Sequence, residues 1–323
     1  MSRQQSLPVE GAIPVTANLL DASELRTALR DLRPEVVFVT AWMKQEDEAG
    51  NIEVNTAMLR NVLAALEDGG SVRHVALMTG LKHYLGSFED YGSVVNAETP
   101  FHEDEPRLPS PNFYYAQEDE LFAAAARMNF TWSVHRSHTI FGFASGNAMN
   151  MVLTLAVYAT ICRETGSPFI FPGSATQWNG LTDVTDAGLL AEQMVWAATS
   201  PEGQNQAFNT ANGDVFRWRW MWPQLAAMFE VEPVGFDTTP NPLDSRMQDS
   251  VELWKGIAGK YGLVEDDVTR LASWWHTDAD LGRDMECLAD TTKARQAGFP
   301  GFRSTPNALA DVVAQYRAAR LIP

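Results

Sequence analysis

"NTAMLRNVLAALEDGGSVRHVALMTG", residues 55–80, holds a helical repeat followed directly by a buried strand, and this order decides the fold. Apolar side chains recur at helical spacing until Gly69 and Gly70 end the helix. The β-branched run "PEVVFVT", residues 34–40, predicts a strand before that helix. Strand–helix alternation of this kind is typical of a doubly wound parallel sheet in an α/β protein, with helices on both faces.

The alternation continues along the chain and then changes. "YYAQEDELFAAAARM", residues 114–128, predicts a helix, and "TWSVHRSHTIFGF", residues 131–143, predicts a strand. From residue 217 onward the sequence is mostly helical and rich in tryptophan. These side chains favour either a helical lid over an apolar pocket or aromatic core packing. The tryptophans are Trp218, Trp220, Trp222, Trp254, Trp274 and Trp275.

Composition narrows the class of function. The 323 residues carry a formal net charge of −17, which argues against a nucleic-acid partner and against docking on an anionic membrane. "MSRQQSLPVEG" lacks the apolar run of a secretory signal, so we expect a cytoplasmic protein with reduced Cys162 and Cys287. The histidines show no metal-ligand spacing, and we expect no metal site.

Two side chains are candidates for chemistry. Lys82, one of only five lysines, follows the strand that ends at Thr79 and Gly80. Ligands of open parallel sheets bind beyond the carboxyl ends of the strands, and Tyr114 at the start of the next helix can reach the same crevice. A phenol donates to a developing oxyanion, and a nearby ammonium supports it. The alternatives are a solvated surface lysine and a tyrosine packed on the sheet.

At this point the sequence resembles a known family. "TGLKHYLGSFE", "NFYYAQEDELF", "WSVHRSHTIFGF" and "SWWHTDADLG" are similar, in this order, to segments of the progesterone 5β-reductase and iridoid synthase-like enzymes. These enzymes form a branch of the extended short-chain dehydrogenases. The resemblance implies a Rossmann-type core over residues 1–145 with 181–215. It also implies a smaller, mostly helical substrate-binding domain over residues 146–180 with 216–323.

The resemblance implies the reaction as well. The family reduces the C=C bond of activated enones with NADPH, and its lysine comes from the K-H-Y segment instead of lying four residues after the tyrosine. Carried over by motif, the catalytic residues are Tyr114 and Lys82, and Glu118 stands where the usual lysine would be. Hydride reaches the β-carbon, negative charge moves to the carbonyl oxygen, and Tyr114 with Lys82 stabilises the enolate.

Further contacts follow from the same motifs. The 2′-phosphate of NADPH would meet Arg3. The rest of the cofactor would lie beside Asn18, Leu19, Thr40, Ala41, Trp42, Thr79, Gly80 and Ile140, together with Lys82 and Tyr114. A small apolar enone would contact Trp42, Phe113, Met149, Trp274 and His276. The oligomeric state stays open, with a homodimer as one arrangement.

Two departures from the family pattern bear on these expectations. Ser137, His138 and Thr139 replace a usual proline, glycine and asparagine, which predicts a differently shaped loop. If Arg3 matches the end of the second family strand, then the first strand, the glycine-rich loop and the first helix are missing, and a sheet edge is exposed. A late start or a shortened protein would each explain this. The competing hypotheses are a non-catalytic relative that binds a ligand or partner, and a carbonyl reductase or sugar-nucleotide enzyme of the same superfamily.

Overall fold

The computed structural model describes residues 11–87 and 98–323, which form a Rossmann-type α/β fold. The strands are β1 (Val36–Val39), β2 (His74–Gly80), β3 (Thr131–Ser137), β4 (Ile140–Phe141), β5 (Phe169–Ile170), β6 (Thr185–Asp186), β7 (Gln206–Thr210) and β8 (Pro233–Val234). The first seven α-helices are α1 (Ala22–Leu29), α2 (Glu48–Glu67), α3 (Lys82–Leu85), α4 (Phe113–Met128), α5 (Met151–Thr165), α6 (Ala175–Asn179) and α7 (Ala187–Thr199). The remaining α-helices are α8 (Trp218–Phe229), α9 (Leu243–Arg246), α10 (Ser250–Tyr261), α11 (Trp274–Leu281), α12 (Thr292–Gln296) and α13 (Thr305–Ala318).

The main sheet is parallel throughout, in the order β1-β2-β3-β7. Because successive side chains of a strand point to opposite faces, β2 contacts helices on both sides. Val75 and Leu77 pack with α1, α2 and α4, whereas Ala76 packs against Leu190 and Met194 of α7. The predicted parallel sheet with helices on both faces is confirmed. The strand β1 lies at one edge, where Phe38 is 46% exposed.

Side-chain caps fix where the helices that carry the site begin. Asp47 Oδ1 accepts from the Gly50 N–H at 2.8 Å at the start of α2. Asn112 accepts from a backbone N–H in the first turn of α4, and Asp186 does the same for α7. Asp21 caps α1, where its side chain accepts from the Ser23 and Glu24 N–H groups. Each such cap satisfies an N–H that the helix itself leaves without an acceptor.

The helices after β4 surround a second hydrophobic core, formed mainly by α5, α8, α10 and α13. Trp222 and Trp254 are fully buried in it, Trp218 is buried, and Trp220 and Trp275 are exposed. Trp218, Trp222 and Trp254 therefore serve as core packing, which is one of the two interpretations that the sequence left open. Aromatic rings of this size bury the most apolar surface per side chain, which explains their concentration here. The exact division of the chain into two domains stays a prediction.

Trp222 is expected to stabilise this second core through both its ring and its indole N–H. The ring stacks on Phe169 at 3.9 Å between centroids, and Nε1 donates to the Phe169 carbonyl at 2.9 Å. Trp222→Phe removes that hydrogen bond and part of the ring volume, so we expect a loss of about 2 kcal/mol in the free energy of unfolding. Urea denaturation measures it as a lower midpoint at unchanged m-value.

The matched control for this substitution is Trp220→Phe on the same helix. Trp220 is 55% exposed, so the same chemical change there is expected to shift the free energy of unfolding by no more than about 0.5 kcal/mol. Equal losses for the two variants would contradict the assignment of Trp222 to the core.

Within residues 11–87 and 98–323, no helix combines the length and the apolar character that crossing a membrane requires.

Candidate active site

A cavity of about 590 Å³ lies at the carboxyl ends of the parallel strands. Residues 40–42, which follow β1, form one part of its wall. The ends of β2 and β3 form the next part, and α11 contributes residues from the opposite half of the chain. The predicted cofactor and substrate residues that line it are Thr40, Ala41, Trp42, Thr79, Gly80, Lys82, Tyr114, Ile140, Met149 and His276.

Tyr114 reaches the cavity from the first turn of α4, and its hydroxyl lies over the end of β2. A β-carbon added at Gly80 would lie 3.2 Å from Tyr114 Oη and 3.0 Å from the Ser137 carbonyl oxygen. The buried Asn112 holds this turn, because its Oδ1 accepts from the Tyr114 N–H at 2.9 Å. Its Nδ2 donates to the Lys82 carbonyl at 2.6 Å. One amide side chain thus connects the backbones of Lys82 and Tyr114.

Lys82 begins α3 directly after β2 and is buried. Its Nζ lies 3.9 Å from Glu48 Oε2 and 4.8 Å from the centre of the Phe113 ring. Glu48 Oε1 accepts from the Phe113 N–H at 2.6 Å, in the same first turn of α4 that carries Tyr114. The surface-lysine alternative is therefore wrong. A single buried carboxylate contacts the ammonium group and the start of the helix.

The comparison with protein families gives one result over most of the chain. Residues 20–323 match the family model described as a PRISE-like Rossmann-fold domain. The chain belongs to this family. The two segments around Lys82 and Tyr114, whose sequences resemble those of the family, lie together at the cavity described above.

Curated relatives agree with membership of the PRISE-like family. The chain is 40% identical over 315 residues to (S)-8-oxocitronellyl enol synthase CYC2 of Camptotheca acuminata, an alignment that covers 96% of this chain and 80% of the relative. It is 40% identical over 314 residues to 3-oxo-Delta(4,5)-steroid 5-beta-reductase of Arabidopsis thaliana, with the same coverage. The predicted family is confirmed.

Solved structures show the same fold at low sequence identity. The UDP-glucose 4-epimerase of Thermus thermophilus, solved with NAD, has a TM-score of 0.65 and 16% identity, over 97% of this chain and 87% of that one. RMD from Pseudomonas aeruginosa, solved with NADPH, has a TM-score of 0.64 and 14% identity, over 95% of this chain and 89% of that one. These likenesses support the Rossmann-type fold of this PRISE-like chain and nothing finer.

Glu118 lies one helical turn after Tyr114, at the position where the resemblance described above predicts that the usual lysine is replaced. It is buried, its Oε2 accepts from Arg107 Nη2 at 2.9 Å, and its Oε1 lies 3.7 Å from Arg136 Nη2. Burial by itself raises its pKa, but His83 and the two arginines outweigh burial and hold the pKa of Glu118 below its ordinary value. The carboxylate of Glu118 is therefore held in its ionised form beside Arg107 and Arg136.

Several predicted site residues lie away from the cavity wall. Asn18 Oδ1 accepts from the Leu20 N–H in a turn before α1, and Leu19 packs against the sheet-side core. Phe113 is buried behind the wall, between Trp42 and Tyr114. Trp274 packs against the second core. Phe113 and Trp274 therefore do not line the cavity, and their substrate contacts stay predictions. Arg3 lies outside the described residues.

Sequence reasoning missed a polar cluster at the cavity, made of His138, Asp183, Asp280, Arg283 and Cys287, of which His138, Asp280 and Arg283 line the wall. His138 Nδ1 lies 2.9 Å from Asp183 Oδ1, and Arg283 Nη1 lies 2.8 Å from His138 Nε2. Arg283 also pairs with Asp280 and approaches Cys287 Sγ at 3.7 Å. The one sequence signal was the replacement of the usual family residues at 137–139. No group of three or more His, Cys, Asp or Glu residues in the described ranges is arranged to hold a metal ion.

The protonation of His138 is coupled to its contact with Arg283. Burial by itself lowers the pKa of His138, but its hydrogen bonds to Asp183 and Cys287 outweigh burial and raise that pKa to about 9. Nε2 can accept from Arg283 only when the ring is neutral, because a second ring proton would face the guanidinium N–H. The arrangement seen is therefore that of the neutral ring with its proton on Nδ1, which predominates only above the pKa of about 9. Burial raises the pKa of the Cys287 thiol, whereas Arg283 and His138 lower it below its ordinary value overall.

Proposed function

We propose that this protein reduces the C=C bond of activated enones, with NADPH as the hydride source. The observation that carries the proposal is the placement of Tyr114 and Lys82. They come from two helices to one cavity wall, and Asn112 and Glu48 connect them. The names of the relatives support the same chemistry, because one is a steroid 5-beta-reductase and the other an enol synthase.

The residues at the strand ends fit a nicotinamide ring. Gly80 has no side chain, and a β-carbon there would crowd the Tyr114 hydroxyl and the Ser137 carbonyl, so glycine lets the phenol lie close over the end of β2. Thr79 and Ile140 would flank the nicotinamide ring, and residues 40–42 would meet the adjoining ribose. When bound, the cofactor supplies hydride to the β-carbon of the enone. The preference for NADPH over NADH rests on the predicted Arg3 contact.

Tyr114 would donate a hydrogen bond to the enone carbonyl oxygen, which gains negative charge as the enolate forms. Donors aimed at such an oxygen act most strongly where water is excluded, and one is worth about 3–4 kcal/mol of barrier. The buried ammonium of Lys82 would favour the same charge from behind the tyrosine. Glu48 and Asn112 would fix the phenol of Tyr114 and the ammonium group of Lys82 relative to each other, because both residues contact the segments that carry these groups.

Product analysis tests the proposal. The purified chain is incubated with NADPH and cyclohex-2-enone, cofactor oxidation is followed by absorbance, and the products are separated by gas chromatography. We expect cyclohexanone to accumulate in proportion to NADPH consumed, and a slower reaction with NADH. Cyclohex-2-enol as the product would identify a carbonyl reductase. Absence of cofactor oxidation together with absence of NADPH binding by calorimetry would identify a non-catalytic relative.

The proposed nicotinamide position makes Gly80 sensitive to the smallest side chain. In Gly80→Ala the methyl group would meet Tyr114 Oη and the Ser137 carbonyl, so we expect kcat for cyclohex-2-enone to fall about 10-fold through displacement of the phenol. The control is Gly256→Ala in α10, where a β-carbon has no neighbour within 4 Å. That variant is expected to keep full activity and to gain up to about 1 kcal/mol of stability. Unchanged kcat in Gly80→Ala would contradict the proposed position.

A further inference from the structure

Part of the cavity wall is polar, although the sequence predicts an apolar pocket. His276 and Asp280 are four residues apart on α11, which places both side chains on one face of the helix, and both line the cavity. Arg283, just past the end of α11, lines it as well. From the other half of the chain, His138 follows directly on Ser137, the residue whose carbonyl lies beside Gly80.

Asp280 is held at this wall by a chain of buried contacts. Its Oδ1 accepts from Arg283 Nη2, Arg283 Nη1 donates to His138 Nε2, and His138 Nδ1–H donates to Asp183. Asp183 is itself fixed, because its Oδ2 accepts from the Ala289 N–H at 2.8 Å. The carboxylate of Asp280 is therefore oriented before any ligand binds. Such preorganisation favours recognition of a specific polar atom.

The second oxygen of Asp280 is available to a ligand in the cavity. No hydrogen bond from a side chain or backbone group in residues 11–87 or 98–323 reaches Oδ2. On the same face of α11, His276 also lines the cavity; its Nδ1 is buried and has no hydrogen-bond partner within these ranges. A carboxylate oxygen only accepts hydrogen bonds, so its natural partner in a substrate is a donor.

The charged groups of this wall decide which kind of substrate group it can bind, a hydrogen-bond donor or an anion. At neutral pH the cluster contributes two carboxylates, Asp183 and Asp280, and two cations, Arg283 and the protonated His138. The oxygen offered to the ligand belongs to the Asp280 carboxylate itself, which opposes a second carboxylate at that oxygen and leaves a neutral hydroxyl as the donor of matching chemistry. We propose that Asp280 and His276 form a subsite for a hydroxyl group on the substrate, remote from the enone carbonyl. The inference rests on the proposed enone reduction, since it names the class of enone.

The position of the subsite sets where the hydroxyl must be. Tyr114 Oη lies at Gly80 and Ser137, and the next residue, His138, reaches Arg283, which reaches Asp280. The contacts that connect the carbonyl position with Asp280 therefore run through His138 and Arg283. An enone whose hydroxyl lies at the far end of a chain can contact both, whereas a hydroxyl next to the carbonyl cannot.

A substrate series tests the subsite without any substitution. The value of kcat/KM is measured with NADPH for dec-2-enal and for its ω-hydroxy, ω-methoxy and ω-carboxylate derivatives. We expect the ω-hydroxy enal to exceed dec-2-enal by about 10- to 100-fold, the methoxy compound to lose that gain, and the carboxylate to be the poorest. Equal values for the hydroxy compound and dec-2-enal, or a preference for the carboxylate, would overturn the subsite. Failure to reduce any of the four would instead overturn the proposed function.

Asp280→Asn assigns the effect to the residue. It weakens the acceptor and removes one negative charge, so we expect the hydroxy-to-parent ratio of kcat/KM to fall about 10-fold and the carboxylate-to-parent ratio to rise. Asp284→Asn is the control, because Asp284 is exposed and does not line the cavity, and both of its ratios should match the unmodified chain. The ratios are independent of the amount of folded enzyme. Ratios unchanged in Asp280→Asn would overturn the assignment.

Discussion

Tyr114→Phe is expected to lower kcat for cyclohex-2-enone by about 10²- to 10³-fold, with little change in KM. The substitution removes only the phenol oxygen, which lies over Gly80 at the proposed carbonyl position. One oxyanion donor contributes about 3–4 kcal/mol to the transition state and much less to the ground state, so the loss should appear in kcat. Steady-state kinetics with saturating NADPH measures it.

Tyr115→Phe is the matched control for this substitution. Tyr115 is the next residue, yet its hydroxyl points away from the cavity, donates to the His83 carbonyl and accepts from the Leu108 N–H at 3.0 Å. Its loss should cost about 1–2 kcal/mol of stability and leave kcat within a small factor of the unmodified chain. Full activity in Tyr114→Phe would show that the roles assigned to the two tyrosines are wrong.

Lys82→Met is expected to lower kcat by about 10²-fold and also to destabilise the fold. The methionine keeps the length of the side chain but removes the ammonium group, so the enolate loses its supporting charge. Glu48 then remains buried without the cation that lies 3.9 Å from it, which costs up to about 3 kcal/mol. Kinetics and urea denaturation are measured on the same preparations.

The double variant Lys82→Met with Glu48→Gln separates the two effects. A neutral amide at position 48 can still accept from the Phe113 N–H and no longer leaves a buried charge, so most of the lost stability should return. Activity should stay low, because the ammonium group is still absent. Recovery of activity together with stability would show that Lys82 acts only through the fold.

Much of this site follows from the sequence because the fold brings strand ends together. Residues 40–42, residues 79–80 and Tyr114 are distant along the chain, but the carboxyl ends of parallel strands share one edge. Recognising the strands was therefore enough to predict that these residues meet. Lys82 follows the same logic, since it comes two residues after the end of β2.

The tryptophan-rich part shows what composition leaves open. The spacing of Trp222 and Trp254 along their helices is typical of core residues, but it was consistent with both the lid and the core interpretations. Packing decided the outcome, because α8 and α10 turn these rings toward α5 and the second core. The cavity wall instead received His276, Asp280 and Arg283 from the segment that follows.

The sequence did not predict the polar cluster at the cavity, and the reason is a different one. His138 is 45 residues from Asp183 and 145 residues from Arg283, and no periodic spacing links the three. Each alone is consistent with an ordinary loop residue. Only tertiary packing of the loop after β3 against the segment after α11 brings them together, which is why the predicted apolar enone becomes a hydroxylated one in the proposal above.

The most direct test of the central claim is the position of the transferred hydrogen. The chain is incubated with cyclohex-2-enone and NADPH deuterated at C4 of the nicotinamide, in both stereochemical forms, and the product is examined by deuterium NMR. Enone reduction predicts cyclohexanone with deuterium at the carbon β to the carbonyl, from one of the two forms. Deuterium on the carbinol carbon of cyclohex-2-enol would contradict the account.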